Sequence, residues 1–455
     1  MPAKFWRVFF ITCSSLATAA LSLWTVDPDL FWHLKAGEWI AVHKTIPAAD
    51  IYSWSSYGQP WTDHQWLWEL TNYLLYRKAG YPGLWLVTLL SGILIGMLIW
   101  LGTEKRSGVT GAAAGGLAPF LLYGWLRPWP QEWVYALFAG YLYISLRRDW
   151  GRKEILSLAL IAALWANIHS SAVMLPLLIL LEAGWEAVVL RVKEGLPARL
   201  LAALSCGIAT LFTPHGAGLW AYAVKEGLLT NAYRQHIAEW MPFVFGFHEQ
   251  SFIFFASLAI ILAAAWQGRK RDIVMARAIF FWVLALNSRI YTPYAVLSTA
   301  LLFGTLECKF SLTTIKLLAI QFIAVGIFIL TLKGIPMNLQ EAAAKDNYPV
   351  KAVEVIKERG YDKVYNEYGW GGYLIWSGIP VYIDGRADLY SHGGIFDGYM
   401  NLIQGDKPAG EAIEDTGAKT ALVAVNDIRD AVLKEAPGWV EVYRDKTAAI
   451  FRVKD

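Results

Sequence analysis

Cysteine is scarce: three residues in 455, at Cys13, Cys206 and Cys308. None is spaced as a metal-ligand or redox pair, which argues against thiol chemistry and excludes a disulfide scaffold. Charge is scarce too. Asp, Glu, Lys and Arg make up 17% of the chain, against about 25% in soluble domains. Lys and Arg exceed Asp and Glu by 3, too even a balance to imply nucleic-acid binding. No internal repeat or low-complexity linker is present, so an inverted-repeat transporter gains no support. What the chain has instead is apolar: 56% of residues are hydrophobic, with a mean hydropathy of +0.38. The long uncharged runs exclude a soluble enzyme and a disordered protein, and predict a polytopic membrane protein.

A crossing helix needs about 20 mostly apolar residues. Runs near 8–26, 84–101, 109–126, 132–146, 154–168, 172–190, 200–213, 251–266, 273–288, 291–306 and 313–332 predict about eleven spans. With the N-terminus in the cytoplasm, short inside turns collect basic residues such as Lys4, Arg7, Lys105, Arg106, Arg147, Arg148, Arg152, Lys153, Lys270, Arg271 and Lys309. The positive-inside rule then fixes the orientation. Ala17-Thr18-Ala19 offers a signal-peptide cleavage site, but the apolar run continues through Leu23, Trp24 and Val26, which favours a retained span.

An odd number of spans puts the tail outside. The expected division is a membrane domain over 1–333, including outer loops 27–83 and 214–250, and an extracytoplasmic domain over 334–455. In the tail, strand-like runs (Lys363 to Tyr368, Val381 to Asp384, Ala421 to Val425, Val440 to Tyr443, Ala448 to Val453) alternate with helical patterns such as Val350 to Arg359. This predicts a small α/β domain.

The same orientation places all eight histidines outside, His248 and His392 among them. Polar residues from many helix ends on one side describe a site at the outer leaflet. The sharpest motif is Asp27-Pro28-Asp29-Leu30-Phe31-Trp32-His33, directly after the first span. Two such acids suit a general base with an electrostatic helper, a divalent-cation site, or an acidic helix end with Asp29 as N-cap. Downstream come Asp50 and Trp61-Thr62-Asp63-His64-Gln65-Trp66-Leu67-Trp68-Glu69. Flat rings among carboxylates suit a sugar, and equally an interfacial helix with its tryptophans in the headgroups.

Arg127, in Trp125-Leu126-Arg127-Pro128-Trp129-Pro130, and Arg289 are candidates to clamp a phosphate, or plain snorkelling arginines. Asn167-Ile168-His169 lies at a turn between spans, and Glu239-Trp240 in the second long loop. The histidines and acids permit a divalent metal, although no HExxH spacing appears. In the tail, Asp384-Gly385-Arg386 reads either as a ligand loop after a strand or as a turn closed by an Asp–Arg pair.

These motifs, with Tyr368-Gly369-Trp370-Gly371-Gly372-Tyr373 in the tail, resemble a bacterial branch of the GT-C superfamily of integral-membrane glycosyltransferases. Its relatives include polyprenyl-phosphate-sugar-dependent mannosyl- and arabinosyl-type transferases. The resemblance implies a large first outer loop carrying a catalytic acid, Asp27 or Asp29, in the bacterial inner membrane. That acid would deprotonate an acceptor hydroxyl for inverting hexosyl or pentosyl transfer. The donor would be a polyprenyl-phosphate sugar and the acceptor a glycan, lipid or protein. His33, Asp50, Trp61, Asp63, His64, Glu69, Arg127, Asn167, His169, Glu239 and Arg289 would then bind substrate, the two arginines at the lipid phosphate. The oligosaccharyltransferase signature Trp-Trp-Asp-Tyr-Gly is absent, which argues against en bloc transfer to asparagine. A transporter or flippase for lipid-linked sugars, a glycan ligase and a non-enzymatic scaffold are the rival readings.

Overall fold

The computed structural model of the chain describes residues 3–104, 108–147, 149–229, 235–246, 249–269, 272–307, 311–391, 393–404 and 409–454. Cys308, His248, His392 and the basic residues Lys105, Arg106, Arg148, Lys270, Arg271 and Lys309 lie outside the described residues.

Each of the eleven apolar runs is helical. They correspond to Ala3–Leu21, the distal part of Trp66–Thr103, Gly108–Leu121, Pro130–Ser145, Arg152–Ala166, Ser170–Leu190, Leu196–Ala209, Glu249–Trp266, Ile273–Asn287, Thr292–Gly304 and Leu312–Lys333. Among the described residues three are long and apolar enough to cross a membrane: Trp66–Thr103, Ser170–Leu190 and Leu312–Leu332. Several of the others are shorter because prolines at their first positions, as in Pro130–Ser145, Leu196–Ala209 and Thr292–Gly304, set their starts.

By contacts the chain forms two compact units, one of residues 3–24, 84–229 and 235–335, the other of 25–83 and 336–454. A division at 333/334 groups loop 27–83 with the membrane part; the contacts group it with the C-terminal segment.

In the first unit, Ala3–Leu21 packs on Leu312–Lys333 and Gly108–Leu121 through Phe10, Ala113, Ile315 and Ala319. Two charges inside the apolar helices answer each other. Arg277 Nη2 donates to Glu182 Oε2 at 2.7 Å, and both side chains are buried. Ionisable groups at this depth need such a partner.

The second unit is built on a four-stranded sheet of order β1-β2-β4-β3, with β1 Val364–Asn366, β2 Thr420–Ala424, β3 Trp439–Arg444 and β4 Ala448–Val453. β1 and β2 are parallel, and the other neighbours antiparallel. Helix Val350–Glu358 buries Ala352, Val353 and Ile356, the spacing of one helical face. The expected strand Val381 to Asp384 reduces to single parallel bridges of Val381 with Val364 and Ser53. Pro380 lacks a ladder donor. The Asn366 side chain takes over two positions, accepting from Tyr382 N and donating to Ile383 O. Ser53 belongs to the first loop, so that loop extends the edge of the C-terminal sheet.

Helix Trp66–Thr103 contains a break. Gly80 has φ +62°, and a Cβ there would stand 2.4 Å from the Met337 carbonyl. Only glycine suits both demands. The part before the break belongs to the second unit and carries Glu69; the apolar run follows it.

Candidate functional site

The predicted site residues fall into two groups, one in each unit. The first group begins where the chain leaves the first helix. Val26 N donates to Asp346 Oδ2 at 2.7 Å, and Tyr348 OH donates to Val26 O at 3.3 Å. Helix Leu30–His43 then starts, with Phe31 edge-on to Tyr348 and Tyr373. Asp29 occupies the N-cap position in αR conformation, and its side chain makes no cap hydrogen bond.

The two acids of the motif have different jobs. Asp27 is 4% exposed, and its Oδ1 accepts from Asp29 N at 2.9 Å. Asp29 is half-buried, and its Oδ1 accepts from Trp32 Nε1 at 3.0 Å. Against that same oxygen lies Gly385 of the C-terminal segment: a Cβ there would be 1.7 Å from Asp29 Oδ1.

Gly385 sits in a turn fixed from several directions. Arg386 donates to Asp384 through Nε at 2.8 Å and Nη2 at 2.6 Å, and to Asp50 Oδ1 through Nη1 at 2.6 Å. Tyr390 OH also donates to Asp384 Oδ2. The guanidinium lies 4.8 Å from the Trp61 ring and 5.3 Å from that of Tyr52. Burial opposes the charge on Arg386, but Asp384, Tyr390 and Asp50 outweigh it and hold its pKa above the usual arginine value. Of the two readings of Asp384-Gly385-Arg386, the Asp–Arg pair is present, and Arg386 continues through it to the first loop.

Asp50 is fully committed to this frame. Besides Arg386, it accepts from Ser53 Oγ at 2.6 Å, Ser53 N at 3.0 Å and Tyr52 N at 3.2 Å. Trp61 is buried beside it. His33, Asp63 and Glu69 are buried as well, and His33 Nδ1 lies 2.7 Å from Glu69 Oε1. Burial, followed by the charge and hydrogen bond of Asp63, pushes the Glu69 carboxyl well above its ordinary range. His64 Nδ1 lies 3.2 Å from Thr62 O. Most of the loop's acids and rings therefore face one another, and Asp29, like Glu38, is half-buried where Asp27, Asp50, Asp63 and Glu69 are buried.

The second group lies in the helical unit. Arg127 Nη2 is 3.9 Å from Glu239 Oε1, with its guanidinium 4.5 Å from the Trp129 ring. The Glu239 carbonyl accepts from Ile290 N at 2.7 Å, and Met241 O accepts from Arg289 N at 3.1 Å. Arg127, Glu239 and Arg289 thus share one neighbourhood. Asn167 Nδ2 donates to Ala163 O and Phe212 O, each at 2.8 Å, a tie between turns. His169 accepts from Ser171 N at 3.1 Å as the N-cap of the next helical turn. Among the described residues no three His, Cys, Asp or Glu side chains form a metal cage.

No family model and no curated protein matches the chain. Solved structures do. ArnT from Cupriavidus metallidurans bound to undecaprenyl phosphate aligns with a TM-score of 0.58 at 14% identity, over 99% of this chain and 98% of that one. Its apo form gives 0.60 at 15%, with the same coverage. The oligosaccharyltransferase of Archaeoglobus fulgidus, tethered to an acceptor peptide, gives 0.60 at 12%, over 99% of this chain and 74% of that one. The chain has the GT-C fold. At such identities the likeness carries architecture, and the GT-C fold hosts its chemistry in particular residues.

Sequence reasoning overlooked the contact of Gly385 with Asp29 and the pairing of Asp50 with Arg386. Both join segments more than 300 positions apart, and no local pattern marks such a pair.

Proposed function

We propose that the protein is a membrane glycosyltransferase that moves a sugar from a polyprenyl-phosphate donor to an acceptor hydroxyl at the outer face of the membrane. Eleven crossing helices, a cytoplasmic N-terminus and an extracytoplasmic second unit complete this reading. The observation that carries it is the match in fold along almost the whole length of both chains to ArnT, seen bound to undecaprenyl phosphate. It is joined by a half-buried carboxylate, Asp29, at the start of the first loop.

In this reading Asp29 takes the proton from the acceptor hydroxyl. The freed oxygen forms a bond to the anomeric carbon, and the bond from that carbon to the phosphate oxygen breaks. Polyprenyl phosphate leaves with the electron pair. Its negative charge calls for fixed cations, and Arg127 and Arg289 are the proposed partners. Asp27, buried and bonded to the Asp29 backbone, holds the base in place. The other buried acids of the loop shape the frame.

The test is transfer from radiolabelled undecaprenyl-phosphate sugars to endogenous acceptors in membranes, comparing the wild type with Asp29→Asn. Loss of label in the variant at normal expression supports the reading. Label transfer at the wild-type rate in the variant overturns Asp29 as base. Donor movement between leaflets without transfer replaces the enzyme with a flippase.

A further inference from the structure

Asp29 stands at the start of helix Leu30–His43. Its side chain caps no backbone N–H, and the helix places it in ordinary αR geometry. An unrestrained aspartate at a helix start samples several rotamers. Two contacts help to limit this one. Trp32 Nε1 donates to Oδ1 from one turn along the same helix. On the other side the backbone of Gly385 lies where any larger residue would displace the carboxylate, since a Cβ would be 1.7 Å from Oδ1.

The backbone at Gly385 does not require glycine for conformational reasons, because its φ is not in the left-handed region. The need is for space alone. The turn around it is among the most constrained in the second unit. Asp384 and Arg386 pair on either side, Arg386 reaches Asp50, and the Gly385 carbonyl accepts from Ala387 N at 2.9 Å and Tyr368 OH at 3.3 Å. Asp384 is also packed from behind by Gly371, whose own Cβ would fall 2.6 Å from the Asp384 Cα. A turn held this firmly makes a fixed wall, and the carboxylate is the softer partner.

We infer that Gly385 is a positioning residue, a bare-backbone seat in the C-terminal segment that sets the aim of the Asp29 carboxylate. This rests on the proposed role of Asp29 as base. The C-terminal segment then takes part in the reaction without touching substrate. The Asp384-Gly385-Arg386 triplet combines a seat with the two anchors that hold it.

The experiment uses the full chain in lipid nanodiscs with radiolabelled undecaprenyl-phosphate hexoses and pentoses. It compares the wild type, Asp29→Asn, Gly385→Ala and Gly398→Ala, the last at a glycine whose Cβ would meet nothing within 4 Å. Gly385→Ala is expected to lower kcat about 10–100-fold, the scale of a misplaced reacting group. Donor KM should stay near the wild-type value, and the acid limb of the kcat–pH profile should move, because the carboxylate leaves the Trp32 donor. Gly398→Ala should behave as the wild type. If Gly385→Ala does not fold, the pair Gly385→Ala with Asp29→Gly decides. Recovery of the wild-type melting temperature supports the contact, and persistent unfolding overturns it. Wild-type kcat and pH profile in Gly385→Ala, with Asp29→Asn inactive, overturns this inference alone. Full activity in Asp29→Asn overturns the role of Asp29 itself.

Discussion

Asp50 and Arg386 stand 336 positions apart in the chain and 2.6 Å apart in space, both side chains buried. The first loop and the C-terminal segment are tied at this point, and the tie has an unequal cost of removal. Arg386→Met leaves two buried carboxylates, Asp50 and Asp384, without their cation. Breaking a buried pair from one side costs about 3–5 kcal/mol, and this variant belongs at the top of that range or beyond. Asp50→Asn leaves Arg386 still paired with Asp384, so its loss should lie at the bottom. Thermal melting of the detergent-solubilised full chain should rank them in that order. Equal melting temperatures would remove the tie from the account of how the unit is held.

The two acids of the opening motif should separate in kinetics. A positioned general base contributes about 10²–10⁴-fold, so Asp29→Asn should lower transfer by that factor with expression unchanged. Asp27→Ala removes the side-chain acceptor of the Asp29 backbone N–H. Its effect should be smaller, about tenfold or less if the cost is that of one ordinary hydrogen bond. Initial rates with labelled donor distinguish the two. The reverse ranking would transfer the role to the buried acid.

Glu69 gives a pH prediction. Its carboxyl is pushed up first by burial and then by Asp63. A raised carboxyl adds stability that is fully present below the ordinary glutamate value and is lost as pH rises through the higher folded value. The wild type should therefore lose melting temperature as pH rises above the ordinary glutamate value. Glu69→Gln, which copies the neutral acid in shape, should flatten that slope while costing little at acidic pH. A pH series of melting curves reads both, and an unchanged slope above the ordinary glutamate value in the variant would mean that Glu69 is ionised in the fold.

Much of this architecture is legible in the chain. Long apolar runs between basic turns mark helices, and all eleven are helical. The tail's alternation gives four of its five strand-like runs correctly, and the fifth fails for local reasons: Pro380 has no donor, and Asn366 substitutes its side chain for the ladder. The tie between Asp27 and Asp29 is a different kind of limit. Burial separates them, and the contacts of the Asp29 carboxylate include Gly385, more than 300 positions away. Gly80 illustrates the same point. Its glycine is visible in the sequence, but the reason for it, the Met337 carbonyl, arrives more than 250 residues later.

Arg127 and Glu239 carry the last prediction, and its sign is what tests it. The carboxylate lies 3.9 Å from the guanidinium, and both are partly exposed, at 21% and 41% of their side chains. An exposed pair of this kind is worth about 0–1 kcal/mol, too little to hold Arg127 against a phosphate that offers two oxygens to its fork. If Arg127 serves the donor phosphate, Glu239 is a weak competitor for it. Arg127→Ala should raise the donor KM about 10–150-fold, the equivalent of the 1.5–3 kcal/mol of a hydrogen bond to a charged group. Glu239→Gln should lower the KM modestly, by at most about fivefold if the competing pair is worth up to 1 kcal/mol. An arginine that merely braces the helix ends predicts the opposite for the second variant: loss of the carboxylate would loosen the site and raise the KM. Steady-state kinetics with undecaprenyl-phosphate sugars at low and high salt separate the two, since screening should narrow the difference between wild type and Glu239→Gln.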